Sequence, residues 1–253
     1  MNEIENILKR VRDTKALEFG VGAMKKIPAM FDSLFPGKTA VVVADKITYE
    51  IAGKTIHGYL GDAGIKTVAP FVFTDPGLYA EWSYLEQLES YLKERDVIAV
   101  AVGLGVINDL TKLASSHLGR HYIIVGTAAS MDGYTSYGAS VTYHGNKHTF
   151  DCPAPLGMVM DPAVAAKAPA GITASGYGDL IAKIPSGADW IIADAVGSES
   201  IDPFAFSLVQ KNLRDALSYP DAVAAGDVTA VGKLAYELIM SGLLILGNPM
   251  MAH

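Results

Sequence analysis

From Thr39 to about Asp161 the apolar residues fall in short, β-branched, nearly unbroken runs: TAVVVA, TVAPFVF, DVIAVAVG, HYIIVG and LGMVM. Runs without polar alternation predict strands buried on both faces, as in a parallel sheet covered by helices. Between them, Ile47 to Leu60, Leu78 to Leu92 and Ile107 to Leu118 place apolar residues at helical spacing. Strand and helix alternate, so the pattern predicts an α/β fold built on an open parallel sheet. In Ala139 to Phe150, ASVTYHGNKHTF, the turn signal His144-Gly145-Asn146 separates two alternating runs and predicts a hairpin protruding from that sheet.

After Pro169 the strand runs stop. Ala170 to Ala195, Pro203 to Leu217 and Val228 to Leu246 read as helices, which places a domain boundary near residue 170: an α/β part over 1–169 and an all-helical part over 170–253. Trp190 and Tyr236 stand among aliphatics at helical spacing and are expected in the core. The tail LLILGNPMMAH is apolar to its end, which predicts an unpaired helix face and with it either association or a longer chain.

Composition sharpens this picture at a few points. Half of the 253 residues are apolar and 19% are charged, with mean hydropathy +0.26, which suits a large core. A formal net charge of −7 argues against a nucleic-acid-binding surface. Cys152 is the only cysteine, so an intrachain disulfide and a four-thiolate zinc site are both excluded, and a reducing cytoplasm is the expected home. The N-terminal MNEIENILKRVRDTK has the spacing of an amphipathic helix and no continuous apolar core of a signal peptide. The longest apolar stretches fall well short of the roughly twenty residues a membrane span needs, so a soluble protein is expected.

Three segments could carry chemistry. In VAVGLGVINDLTK a strand runs into Gly103-Leu104-Gly105 and then a helix, where unpaired backbone N–H groups can receive a pyrophosphate; the same pattern also serves an ordinary βα turn. GTAASMDGYTSYG, residues 126–138, gathers hydroxyls, glycines and Asp132 at the carboxyl end of a strand, where α/β sheets bind ligands and where solvated loops also lie. SGYGDLIAK, residues 175–183, brackets a turn with Gly176 and Gly178 before Asp179, which a helix dipole alone would accommodate. Asp45, ending AVVVA, fits either an adenosine-ribose acceptor or a helix cap. The six histidines are scattered and form no HExxH pair, and Cys152 has no evident base.

Taken in order, the segments LEFGVGAMKKIP, VVVADKITYEIAG, VGLGVINDLTKLAS, GTAASMDGYTSYGAS, KHTFDCPAPLGMVMDP, ASGYGDLIAK, ADW and SGLLILG resemble the glycerol-1-phosphate dehydrogenase family, within the fold shared by dehydroquinate synthase, glycerol dehydrogenase and iron-type alcohol dehydrogenases. The resemblance implies a dinucleotide-binding domain followed by a helical metal and substrate domain. It implies NAD(H) or NADP(H) bound through Gly103, Gly105 and Asp109 at the diphosphate, Asp45 at the ribose, and Thr127, Ser130 and Ser136 along the cofactor. Asp132 matches an acid that meets substrate hydroxyls, Lys147 and Lys183 match basic positions for the substrate phosphate, Asp132 and Lys183 are the catalytic candidates, and Asp179 matches a ligand of a divalent metal, zinc or nickel.

The activity so implied is reduction of dihydroxyacetone phosphate to glycerol 1-phosphate by a cytoplasmic homo-oligomer, with a small polyol or ketose phosphate as partner and neither nucleic acid nor a membrane span. Two positions depart from the family: Leu104 and Val106 replace residues that are usually small or hydroxylated in its glycine loop, and the two histidine ligands expected beyond a segment of the type SRPASGxEH are not among these 253 residues. The sequence thus resembles the nucleotide half of such an enzyme with its opening helices. Oxidation of unphosphorylated glycerol or another polyol, and a catalytically silent nucleotide-binding module, are the alternatives.

Overall fold

A computed structural model describes residues 3–244. The first elements are α1 (Glu3–Leu8), β1 (Ala16–Phe19) and α2 (Ile27–Leu34), then β2 (Thr39–Asp45), α3 (Lys46–Thr48), α4 (Lys54–Asp62) and β3 (Phe71–Phe73). There follow α5 (Trp82–Lys93), β4 (Val97–Gly103), α6 (Gly105–His117), β5 (Ile123–Gly126), the hairpin strands β6 (Ala139–Tyr143) and β7 (Asn146–Phe150), and β8 (Gly157–Met160). Beyond β8 every described element is a helix: α7 (Pro162–Ala165), α8 (Ala170–Ile181), α9 (Lys183–Ala195), α10 (Pro203–Ala216), α11 (Pro220–Ala224) and α12 (Val228–Leu244). The apolar tail predicted past Leu244 lies outside the described residues.

Six strands pair in parallel in the order β1-β8-β5-β4-β2-β3, giving the open parallel sheet that the apolar runs predict, with a helical part after it. Side chains alternate along each strand between two cores. Ala40, Val42, Val100, Val102 and Val125 face α2 and α4 through Phe31, Ile56 and Leu60. Val41, Val43, Ala99, Ala101 and Ile124 face α5 and α6 through Leu88, Ile107 and Leu110, and this second core continues into α8, α10 and α12 through Leu180, Val209 and Leu238. Residues apolar on both faces of a strand are therefore used on both faces.

Strand β1 had no β-branched run to announce it. It is a four-residue edge strand, ALEF, half-buried apart from Leu17 and held by its parallel register with β8. The segment Ala170 to Ala195 is two helices, α8 and α9, meeting at Ala182. The turn expected around Gly176 and Gly178 is absent, because both glycines lie inside α8. Gly176 is needed there for proximity: a Cβ on it would lie 2.1 Å from the carbonyl oxygen of Ala129. The hairpin turn at His144-Gly145 takes positive φ at both residues, 49° and 78°, the backbone that a tight two-residue connection demands.

Candidate active site

The loops that follow β2, β4 and β5 emerge side by side at the carboxyl ends of the sheet. Strands β2 and β4 are neighbours with Val43 opposite Ala101, so Asp45 and Gly103, each two residues further on, end adjacent strands. The helices that follow leave to opposite faces, α4 into one core and α6 into the other. Such a divergence is a topological switch point, and it opens a crevice above the strand ends. On the other side of β4, Gly103 pairs with Gly126 of β5, and the Thr127 N–H donates to the Gly103 carbonyl at 3.2 Å. Four of the sequence-predicted residues, Asp45, Gly103, Gly105 and Thr127, thus stand at these adjoining strand ends, whereas Asp109 lies a turn further along α6 with its carboxyl against Ser140 of the hairpin.

Their local chemistry differs. Asp45 Oδ1 accepts from the N–H groups of Ile47 and Thr48, both at 2.8 Å, and the Thr48 hydroxyl accepts the Asp45 N–H at 3.2 Å. This capping box starts α3, and it engages one carboxylate oxygen of the two. Helix α6 begins at Gly105 with Leu104 at the N-cap and no side-chain cap, so its first-turn N–H groups rely on a partner from outside the helix. Asp109, deeper in α6, is pushed up to about 6 by burial, against the opposing charges of Lys112 and, from the hairpin, Lys147. Lys147 itself is exposed on β7.

The loop from Gly126 to Gly138 is fixed from below by a buried cation. Lys112 of α6 is 1% exposed, and its ammonium donates to the carbonyls of Gly133, Ser136 and Gly138 at 3.1, 2.8 and 2.9 Å. All three of its N–H bonds are matched, although burial still pulls its pKa down while Asp109 pulls it up. Asn108 adds a bond from Nδ2 to Gly133 O at 3.1 Å, and the Tyr134 hydroxyl donates to Ala128 O at 2.9 Å. The Ser136 hydroxyl donates to Gly133 O at 3.1 Å, and Ser130 Oγ lies 3.2 Å from the Tyr134 hydroxyl. Both serines thus hold the loop's shape as well as lining it.

From above, the helical part closes on the same loop. Asp132 is buried, and its Oδ2 receives the Lys183 ammonium and the Ser241 hydroxyl, the latter at 3.3 Å. The Asp132 N–H donates to Asp179 Oδ2 at 2.8 Å, and Asp179 Oδ1 lies 3.7 Å from Lys183 Nζ. Asp179 stands in the last turn of α8, where the helix dipole disfavours a carboxylate; burial first, and then the charge of Asp132, hold its pKa above the usual range. Thr135 donates its hydroxyl to Ile239 O at 3.0 Å, and a Cβ on Gly242 would sit 2.2 Å from Asp132 O. Periodicity gave no sign of Lys112, Thr135, Ser241 or Gly242. A Ser-Gly pair inside the long apolar helix α12 was the one available clue to a close approach.

A divalent metal, which the sequence resemblance implies, does not fit the donors present. Asp179 already accepts a backbone N–H on one oxygen and faces an ammonium with the other, Asp132 is paired with that same ammonium, and among the described residues no group of three or more His, Cys, Asp or Glu could hold an ion. Cys152 is buried, and burial pushes its thiol to about 12, so it is inert as a nucleophile. A cavity of about 470 Å³ opens among Phe19, Pro162, Lys233 and Tyr236 and contains none of the predicted site residues.

Residues 18–169 match the sequence profile described as iron-containing alcohol dehydrogenase. The chain is 36% identical over 209 residues to a glycerol-1-phosphate dehydrogenase [NAD(P)+] of Halalkalibacterium halodurans, covering 81% of this chain and 52% of that protein. It is 34% identical to the protein of the same description from Bacillus velezensis, again over 81% of this chain, and 53% of that one. The chain therefore spans about half the length of the curated relatives it matches. The crystal structure of glycerol dehydrogenase from Schizosaccharomyces pombe superposes with a TM-score of 0.76 over 94% of this chain and 62% of that one, at 20% identity, a likeness of fold.

Proposed function

Because the chain belongs to the iron-containing alcohol dehydrogenase family, we propose that it is the nucleotide-binding part, with the first helices of the substrate part, of an NAD(P)-dependent dehydrogenase that reduces dihydroxyacetone phosphate to glycerol 1-phosphate. The observation that carries this reading is the switch-point crevice, with the uncapped N-terminus of α6 on one side and the Asp132–Lys183–Asp179 cluster across the loop that follows β5. Relatives described as glycerol-1-phosphate dehydrogenase support the substrate class.

In this reading the first-turn N–H groups of α6 take the cofactor diphosphate, an anion that a helix N-terminus stabilises. Backbone donors suffice there, so Leu104 and Val106 cost the loop its hydroxyls and leave its N–H groups. The free Oδ2 of Asp45 is available to a ribose hydroxyl while Oδ1 caps α3. The nicotinamide, when bound, supplies the hydride. Asp132 and Asp179 orient the substrate hydroxyls, and Lys183 Nζ gives a proton to the oxygen that becomes the alcohol. Lys147, on the exposed hairpin and close enough to Asp109 to be felt electrostatically, is the phosphate contact the reading requires.

The first test is a fluorescence titration of the chain with NADH; failure to bind removes the reading altogether. The second follows NADH consumption in a form carrying the relatives' remaining length. Turnover of dihydroxyacetone phosphate in preference to dihydroxyacetone supports the phosphate-specific reaction, and the reverse order transfers the site to free polyols. NADH binding with no turnover leaves a nucleotide-binding module.

A further inference from the structure

Helix α9 turns its apolar face away from the protein. The backbone stays in the right-handed helical region through Ala182, φ −61° and ψ −18°, so residues 181–196 can be counted as one helical run. At 3.6 residues per turn, Ile181, Ile184, Pro185, Ala188, Ile191, Ile192, Ala195 and Val196 share an arc of about 140° that no polar residue of the run enters. Every one of them is exposed, the branched side chains by 43% at Ile181 up to 72% at Val196. The opposite side of α9 makes the contacts with the rest of the chain: Gly187 is buried against Gln210, Trp190 meets Phe206 edge-on, and Lys183 reaches Asp132. A face this apolar and this continuous is a surface for another helix.

The order of residues along the face selects the partner. Counted from Ala188, Ile184 and Ile192 stand four residues to either side, Pro185 and Ile191 three, and Ile181 and Ala195 seven. A patch that is apolar at equal steps in both directions complements itself under a two-fold rotation, which is what contact between identical surfaces requires. The five branched side chains leave roughly 500 Å² of apolar surface open, against about 800 Å² given by each partner to a standard interface, so the contact suits a reversible dimer. Asp189 and Asp194 lie outside the arc and Lys183 leaves α9 on the far side, so no charge is buried in the seam.

We propose that this face is the interface between two copies of the chain, their α9 helices antiparallel about a two-fold axis at Ala188. Ile184 of each copy packs against Ile192 of the partner subunit, and the small side chain of Ala188 at the crossing lets the helices approach. The Asp132–Lys183–Asp179 cluster stays outside the seam, so the inference does not depend on the reaction proposed above.

Sedimentation velocity of the full chain, from low-micromolar to a few hundred micromolar, tests it. The expected result is a shift from monomer to dimer across that range, weakened at least tenfold by Ile192→Asp and unchanged by Ser186→Asp on the other side of the same helix. Two cysteine variants at exposed positions guard against misfolding of the aspartate forms, since the native Cys152 is buried. Under copper–phenanthroline oxidation, Ala188→Cys should cross-link to its own copy several-fold faster than Ser186→Cys. A monomer at every concentration, as when the chain's own residues cover the face, would overturn the proposal. So would a dimer that Ile192→Asp leaves intact, or equal cross-linking rates in the two cysteine variants.

Discussion

The two halves of the molecule treat their apolar residues differently. In β2, β4, β5 and β8 nearly every side chain is buried, and the sheet between its two helical layers is a finished core. In α8 and α9 an apolar stripe made by Ile181, Ile184, Ile191, Ile192 and Val196 lies open, with Ile192 60% exposed. The lysines repeat the contrast: Lys112 is locked under the sheet's loop by three neutral carbonyls, whereas Lys183 is held from the helical side by two charges. The difference teaches that one wall of the cleft is held by neutral backbone groups and the other by opposed charges.

The strongest way to break this contrast is to remove the support of the carbonyl-held wall. Lys112→Met keeps the aliphatic stem, takes the ammonium donor from the Ser136 and Gly138 carbonyls, leaves Gly133 O to Asn108 and the Ser136 hydroxyl, and removes the strongest opposing charge on Asp109. Losing one side of a buried charged arrangement costs about 3–5 kcal/mol. The expected outcome is a matching fall in urea-unfolding free energy, with partial recovery in Lys112→Arg and hydrogen exchange of residues 130–138 accelerated beyond that of the sheet. A cost below about 1 kcal/mol would mean that the loop stands without its cradle.

Next in size is a pH effect confined to the same wall. Asp109 titrates near 6 in the folded chain, above the ordinary aspartate value of 3.8. The folded chain therefore holds this proton more tightly than the unfolded chain does, and its contribution to stability is largest at low pH and is lost as pH rises from about 4 to 6. About two units correspond to roughly 3 kcal/mol at most. Stability of the wild type relative to Asp109→Asn, measured by urea unfolding at pH 4 and pH 7, should fall by up to that amount; an unchanged difference would show that the carboxyl is well solvated.

How much of this was legible in the residues depends on which force placed them. The strands β2, β4, β5 and β8 and the helices between them follow from periodicity because burial on both faces fixes their composition. Edge strand β1 escapes because ALEF gains its shape from β8 and carries no pattern of its own. Gly176 and Gly178 read as a turn because glycine signals conformational freedom more often than closeness, yet α8 runs straight through them. Asp132, Lys183 and Asp179 were singled out one at a time, and their mutual pairing was not visible, since it joins residues 47 and 51 positions apart. Lys112 was unreadable for a related reason: α6 is buried nearly all round, so a lysine on it resembles any solvated helix lysine until the carbonyls above it are known.

The junction between the halves gives a smaller and self-controlled effect. Gly176→Ala drives a methyl to 2.1 Å from the Ala129 carbonyl oxygen, a backbone atom that moves only with its loop, so α8 must retreat at about 1–3 kcal/mol. Gly178→Ala, two residues on in the same helix, meets nothing within 4 Å and should instead stabilise by roughly 0.5–1 kcal/mol, the ordinary gain of alanine over glycine in a helix. Thermal midpoints that move in opposite directions would confirm that closeness, rather than flexibility, is what this Gly-x-Gly supplies. Midpoints that move together would sink that distinction.

The smallest expected effect tests the open wall itself. Ile192 on α9 and Ile124 on β5 are the same residue with opposite surroundings, 60% against 0% exposed. Ile124→Val removes one buried methylene from a close-packed core and should cost about 0.5–1.5 kcal/mol. Ile192→Val should change stability by less than about 0.5 kcal/mol, because its methyls already meet water. If Ile192→Val costs as much as Ile124→Val, the stripe is covered in solution and the asymmetry between the two walls disappears. Measuring both variants at two protein concentrations separates the ways it could be covered: a cost that grows with concentration comes from another copy of the chain, and a constant one from the chain's own residues.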